Sequence, residues 1–354
     1  MSRGIFVKDK DAKAGDLIFP WICGLIGVAL VFIAQFVGIL GVILAGLDYQ
    51  KYEGLYLFIY GVIAIIILPF FCKICKKFYS DHNSGVSIYR PDTTDVFLVI
   101  AFSFGLLGLV SLYMMAATFL ADHLNNVKEG LDEYSQNITR YNEEVTPDKV
   151  ALWDKILDYV TSCLIIPVVE EILFRGIILG QFKKAYSAWF SIAISSIVFG
   201  LVHGIGVHIG YALICGILIG VIYWLTDNLI LTCIIHVCFN FFGAVLLNIL
   251  TESGLNIAEE TANSIVTFVG SFEIYMLPAM VVVIVIFAMR RRRMNAQVKA
   301  SNIDVVNGTR NADINFTDAV FRDESDDGDD LGDDRGDEED GDDEDDGGIH
   351  FIFK

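Results

Sequence analysis

The sequence predicts an all-α polytopic membrane protein with about eight transmembrane helices and a disordered acidic C-terminal tail. Of the 354 residues, 54% are hydrophobic, and the mean hydropathy is +0.55. Apolar runs close to the roughly 20 residues that a bilayer span needs recur at short intervals. These two observations, together with a strongly acidic C-terminal stretch, determine the predicted fold class.

Eight apolar runs are predicted as spans, and they lie at residues 17–47, 55–72, 96–121, 157–180, 188–202, 210–225, 229–250 and 265–289. The fifth and sixth are short and rich in glycine. The chain therefore divides into five parts: an N-terminal segment (1–16), N-terminal spans with a long extracytoplasmic loop (17–156), a core (157–250), the last span (251–293) and the tail (294–354).

Lysine and arginine indicate how these spans are oriented. They cluster before the first run, at 73–77, at 183–184 and at Arg290–Arg293, whereas the connection at 251–263 contains none. By the positive-inside rule, both termini are predicted to be cytoplasmic. We expect an integral membrane protein.

The net charge of −19 belongs almost entirely to the tail. Residues 323–346 contain 17 acidic residues and Arg335, so the rest of the chain carries only −3. Such a segment cannot bury enough apolar surface to fold, and we expect it to be disordered. A solubilising role is the first expectation, with a docking site for a basic partner as the alternative. No nucleic-acid partner is expected.

Three charged residues interrupt the fourth apolar run. Glu170, Glu171 and Arg175 lie between Leu164–Val169 and Gly176–Leu179. A charged group at the centre of a span costs roughly 2.5 to 3.5 kcal/mol on insertion scales, so such a cluster faces protein or water. Glu171 and Arg175 are four residues apart on one helix face and are expected to pair. Glu170 is then the less neutralised carboxylate, and the pattern predicts an intramembrane site.

Later spans supply further polar groups. Phe199 and His203 are four residues apart, as are His236 and Asn240, so each pair shares a helix face. Pro167 removes a helical hydrogen bond just before Glu170, and we expect a kink there. These groups are therefore expected to meet the charged cluster in the interior.

The motif order is specific. Glu-Glu-x-x-x-Arg, then Phe-x-x-x-His, then His-x-x-x-Asn, each on an apolar run within residues 157–250, resembles the CAAX prenyl protease and bacteriocin-processing family of intramembrane proteases. The resemblance implies an endopeptidase that hydrolyses a bond in a membrane-associated protein or peptide, including a prenylated CaaX protein. No cofactor is implied.

The resemblance also implies a role for each motif residue. Glu170 corresponds to the carboxylate that activates the hydrolytic water, with His203 as its partner. His236 and Asn240 correspond to the groups that stabilise the oxyanion. The supporting residues are Glu171, Arg175, Phe199 and Pro167.

Four alternatives stay open. Glu170, His203 and His236 are also a zinc-ligand set, since zinc accepts carboxylate and imidazole, and zinc would then activate the water. A non-catalytic regulator or immunity protein would carry the same motifs. A transporter buries carboxylates too, although we find no internal repeat. A structural polar network that joins helices is the last alternative.

Overall fold

The computed structural model describes residues 14–78, 88–144, 151–204, 206–246, 249 and 259–306. These parts are built from helices, which confirms the all-α class. The helices before the polar core are α1 (Ala14–Leu44), α2 (Glu53–Phe78), α3 (Thr93–Ala121) and α4 (Asn125–Glu144). The described residues up to Phe287 pack as one compact unit, and those from Ala288 belong to a second.

The core begins with a continuous helical segment at residues 152–185 that alternates α and π turns. Its parts are α5 (Leu152–Val160), π1 (Thr161–Ile165), α6 (Ile166–Glu171), π2 (Ile172–Leu179) and α7 (Gly180–Ala185). The remaining elements are α8 (Ala188–Val202), α9 (Val207–Thr226), α10 (Leu229–Asn240), π3 (Phe241–Val245), α11 (Glu259–Tyr275) and α12 (Leu277–Val306).

The segment at 152–185 lies at the centre of the larger unit. It packs against α1, α2, α8 and α10. Asp154 fixes its start, because the carboxylate accepts hydrogen bonds from the backbone N–H groups of Gly54 and Leu55 at 3.1 and 2.9 Å. These donors belong to the first turn of α2 and have no partner within that helix. A Cβ on Gly54 would meet the Asp154 backbone, so the approach requires glycine.

Four described helices are long and apolar enough to cross a membrane, which makes the chain an integral membrane protein. They are α1, Glu53–Cys75 of α2, α3 and α9, and the bent pair α11–α12 is a fifth if it is one span. The predicted fifth and seventh spans coincide with the shorter apolar helices Ala188–Val202 and Leu229–Val245. The total of eight stays a prediction.

The predicted last span, residues 265–289, is broken in the structure. α11 ends at Tyr275, α12 begins at Leu277, and the two helices meet at an angle of 42°. Pro278 follows the break. Proline supplies no backbone N–H and its ring opposes the preceding turn, so it begins a helix better than it continues one.

The end of α12 differs from the predicted boundary. We expected disorder from residue 294, but the helix continues to Val306. Residues 290–300 are mainly arginine, methionine, alanine, glutamine and lysine, which all favour helix. Residues 1–13 and 307–354, including the acidic stretch, lie outside the described residues.

The predicted extracytoplasmic loop contains a helix, α4. Val127, Leu131 and Tyr134 are half-buried, while most of their neighbours on the helix are exposed. Spacings of four and three residues place these side chains on one face. This amphipathic pattern allows α4 to cover the core, and it packs against α3 and α9.

Candidate active site

The predicted pair of Glu171 and Arg175 is present and buried. The exposed fractions of the two side chains are 0% and 1%, and Arg175 Nη1 donates to Glu171 Oε1 at 2.9 Å. Arg175 Nη2 donates to the Gly216 carbonyl at 3.3 Å, which connects π2 to α9. The guanidinium also lies 5.0 Å from the centre of the Phe199 ring. Arg175 therefore holds three elements together around a neutralised carboxylate.

His236 on α10 connects the two glutamates. Its Nδ1 lies 2.9 Å from Glu171 Oε1, and its Nε2 lies 3.4 Å from Glu170 Oε2. Glu171 is ion-paired with Arg175 and can only accept a hydrogen bond, so Nδ1 carries the proton. This contact turns the Nε2 edge of the ring toward Glu170.

His203 is oriented in the same way from α8. Its Nδ1 lies 2.7 Å from the Phe199 carbonyl oxygen, which again can only accept. The imidazole also packs on the Phe199 ring, with centroids 4.2 Å apart. Its Nε2 therefore faces Glu170 Oε1, at 3.8 Å.

Glu170 is the carboxylate on which both imidazoles converge. Its side chain is 19% exposed, in contrast to the fully buried Glu171. The two Nε2 separations exceed the usual hydrogen-bond length of about 2.7–3.2 Å, so a water molecule can bridge these groups. The arrangement is chemically suited to taking a proton from such a water.

Asn240 lies at the last residue of α10. Its Nδ2 donates to the Ser162 carbonyl at 3.0 Å. Ser162 belongs to π1. In this segment the backbone hydrogen bonds follow the π pattern instead of the α pattern, and the segment ends just before Pro167. The predicted kink at Pro167 stays a prediction, but the helix changes geometry where the sequence indicated. The bond holds one amide hydrogen of Asn240 and leaves the other for a ligand.

These side chains share one cavity of about 480 Å³. Five of the predicted residues line it, namely Glu170, Phe199, His203, His236 and Asn240. Glu171 and Arg175 are not part of the cavity lining, but Glu171 contacts His236, which is. The structure thus brings together residues from three separate motifs, in the cluster that their order on apolar helices predicted.

Sequence reasoning missed other residues that line the cavity. They are Tyr134 on α4, His208 and Tyr211 on α9, and Glu273 on α11. His208 stacks on Tyr211 with ring centroids 4.6 Å apart and lies 5.8 Å from the His203 ring. Only Glu273 gave a usable signal, as a carboxylate inside an apolar run.

Comparisons with known proteins agree with this geometry. Residues 152–242 match the family model described as type II CAAX prenyl endopeptidase Rce1-like. Over 140 residues, the chain is 26% identical to the protein of Bacillus subtilis (strain 168) named "Putative membrane peptidase YdiL". That alignment covers 40% of this chain, and the chain spans 57% of the relative's length. No solved structure matches.

The matched segment contains all six polar residues of the three motifs. It confirms the resemblance that the motif order indicated. Residues 152–242 are therefore similar to the type II CAAX prenyl endopeptidase Rce1-like family.

Proposed function

We propose that this chain is an intramembrane endopeptidase that hydrolyses a peptide bond with a water activated by Glu170. The convergence of Glu170, His203 and His236 in one cavity among apolar helices is the observation that carries the proposal. The family match of residues 152–242 and the similarity to the Bacillus subtilis protein named as a membrane peptidase support the same activity.

In the proposed reaction, Glu170 accepts a proton from the bridging water as the water oxygen bonds to the peptide carbonyl carbon. The C–N bond then breaks, and Glu170 returns the proton to the leaving amine. His203 positions the water, because its Nδ1–H is held by the Phe199 carbonyl and its Nε2 faces Glu170. A base in this role typically contributes 10²- to 10⁴-fold to the rate.

The negative charge that develops on the carbonyl oxygen needs donors. Asn240 has one amide hydrogen beyond the bond to Ser162, and His236 can donate from Nε2 when both ring nitrogens are protonated. Glu171 balances the charge of that imidazolium from behind. Removing one oxyanion donor typically costs 10²- to 10³-fold.

Zinc is the alternative mechanism for the same residues. In a neutral imidazole whose Nδ1 donates, Nε2 has a free lone pair, which is the form that ligates zinc. His203, His236 and Glu170 would be the ligands, and zinc would acidify the water. Within the part of the chain that the structure describes, no group of three or more His, Cys, Asp or Glu side chains is arranged to hold a metal ion. The metal content of the protein decides between the two mechanisms.

We further propose that the protein lies in a bacterial plasma membrane with both termini in the cytoplasm. Its substrate is a membrane-associated protein or peptide, with a prenylated CaaX protein as one candidate class. The cavity agrees with such a substrate, since its lining is mostly apolar and aromatic.

Cells that carry either the wild type or the Glu170→Gln variant provide the test. Membrane peptides from the two strains are compared by mass spectrometry at equal expression, with Glu129→Gln as the control. Glu129 is exposed on α4, outside the cavity. We expect fragments that are present with wild type and Glu129→Gln but absent with Glu170→Gln. Identical peptide sets from all three strains would contradict the proposal.

A further inference from the structure

A second carboxylate, Glu273, lines the same cavity as Glu170. It lies on α11, outside the segment that matches the family model. Only 6% of its surface is exposed. A carboxylate buried to this extent is costly unless hydrogen bonds or a cation compensate for the lost water.

The position of Glu273 is fixed by close packing of α11 on α3. A Cβ on Gly108 of α3 would meet the carbonyl oxygen and carbon of Glu273. A Cβ on Gly105, one turn earlier, would meet Met280 Cβ and the Met276 carbonyl oxygen. The two glycines allow the helix backbones to touch, so the carboxylate is held on the cavity wall by a rigid contact.

Glu273 has no cationic partner in the described parts of the chain. None of the ion pairs between described residues includes it. Its polar neighbour is the Ser111 side chain, which also lines the cavity. By contrast, the fully buried Glu171 has both Arg175 and His236 as partners.

The cavity lining as a whole lacks a fixed positive charge. The described residues that line it include two glutamates and three histidines, but no lysine or arginine. A cationic group that enters therefore meets a carboxylate in a partly dehydrated space, where charge pairing is stronger than in water. An acidic group beside Glu273 would instead meet a charge of the same sign.

We propose that Glu273 is a specificity residue that binds a basic side chain, lysine or arginine, of the peptide substrate. This inference rests on the proposed peptidase function and names the class of peptide that the cavity selects. Glu170 performs the chemistry, and Glu273 selects peptides that place a cation against the α11 wall.

Matched peptides test the proposal. Purified protein in proteoliposomes is given membrane peptides that carry either lysine or methionine at one position, and that position is moved stepwise along both sides of the cleaved bond. At one position, we expect wild type to favour the lysine peptide in kcat/KM by roughly 30-fold, the range for a partly dehydrated charge pair. Glu273→Gln should bring the ratio close to one. Glu129→Gln, which removes an exposed carboxylate, should keep the wild-type ratio.

Two further comparisons keep the test decisive: the charge-reversal variant Glu273→Lys, and the wild-type rates for the lysine and methionine peptides. Glu273→Lys should favour a glutamate peptide over the lysine peptide at the same position. Equal wild-type rates for lysine and methionine peptides at every position would overturn the proposal, whether or not the variants fold. An unchanged preference in folded Glu273→Gln would also overturn it, since Glu273 would then be only a hydrogen-bonding partner of Ser111.

A binding measurement separates this proposal from the proposed chemistry. In the Glu170→Gln background, a fluorescent lysine peptide should bind more tightly than its methionine counterpart, and Glu273→Gln should remove the difference. A binding preference without any cleavage by the wild-type protein would support Glu273 and reject the peptidase. Cleavage without charge preference would do the reverse.

Discussion

The Glu170→Gln variant should lose peptide hydrolysis by about 10³-fold or more while it remains folded and inserted in the membrane. Glutamine keeps the volume of the side chain and one acceptor, but it cannot take a proton from water. Because Glu170 is 19% exposed and its imidazole contacts are 3.4 and 3.8 Å long, little stability depends on it. The measurement is kcat/KM for a membrane peptide in proteoliposomes.

The control for this variant is Glu129→Gln, which removes an exposed carboxylate outside the cavity and should cleave at the wild-type rate. Elution on size-exclusion chromatography and the thermal midpoint show whether the Glu170→Gln protein is folded. Wild-type turnover by the folded variant would show that Glu170 is not the base.

Replacing Arg175 by methionine should destabilise the protein by about 3 to 5 kcal/mol, because it leaves the fully buried Glu171 without its cation. The variant also loses the hydrogen bond to the Gly216 carbonyl and the contact with the Phe199 ring. Expression at equal promoter strength and the thermal midpoint in detergent measure the effect.

Two variants control for the loss of a positive charge. Lys183→Ala breaks a pair with Asp227 whose side chains are 24% and 46% exposed, and it should cost only about 0.2–1 kcal/mol. Glu171→Gln combined with Arg175→Met removes both buried charges and should recover part of the stability lost by Arg175→Met alone. A normal thermal midpoint for Arg175→Met would remove the structural role of the pair.

The lengths of the apolar runs predicted the helical class and the long spans well, because a helix is the simplest way to pair every backbone group in lipid. α1, α3 and α9 overlap the predicted spans almost completely. The helices differ from the predicted spans where local interactions, which amino-acid composition does not reveal, determine the structure. The break at Met276 depends on one proline. The helix at 125–144 depends on an apolar face that packs against the neighbouring helices α3 and α9.

The site residues were predictable where a charged side chain interrupts an apolar run. Glu170, Glu171 and Arg175 were conspicuous for that reason, and spacing of four residues paired the others. The hydrogen bonds that orient His203 and Asn240 were not predictable, since their acceptors, the Phe199 and Ser162 carbonyls, are backbone groups with no sequence signature. Glu273 was overlooked because it stands alone, 33 residues beyond Asn240, with no partner at helical spacing.

The metal content of active protein tests most directly whether Glu170 activates water itself. Zinc and peptide hydrolysis are measured on the same purified sample, before and after EDTA or phenanthroline, at constant detergent and pH. Our account predicts no stoichiometric zinc and an unchanged rate after chelation. About one zinc per chain, lost in His236→Ala as expected for a site deprived of a ligand, with activity abolished by chelation and restored by zinc, would contradict it.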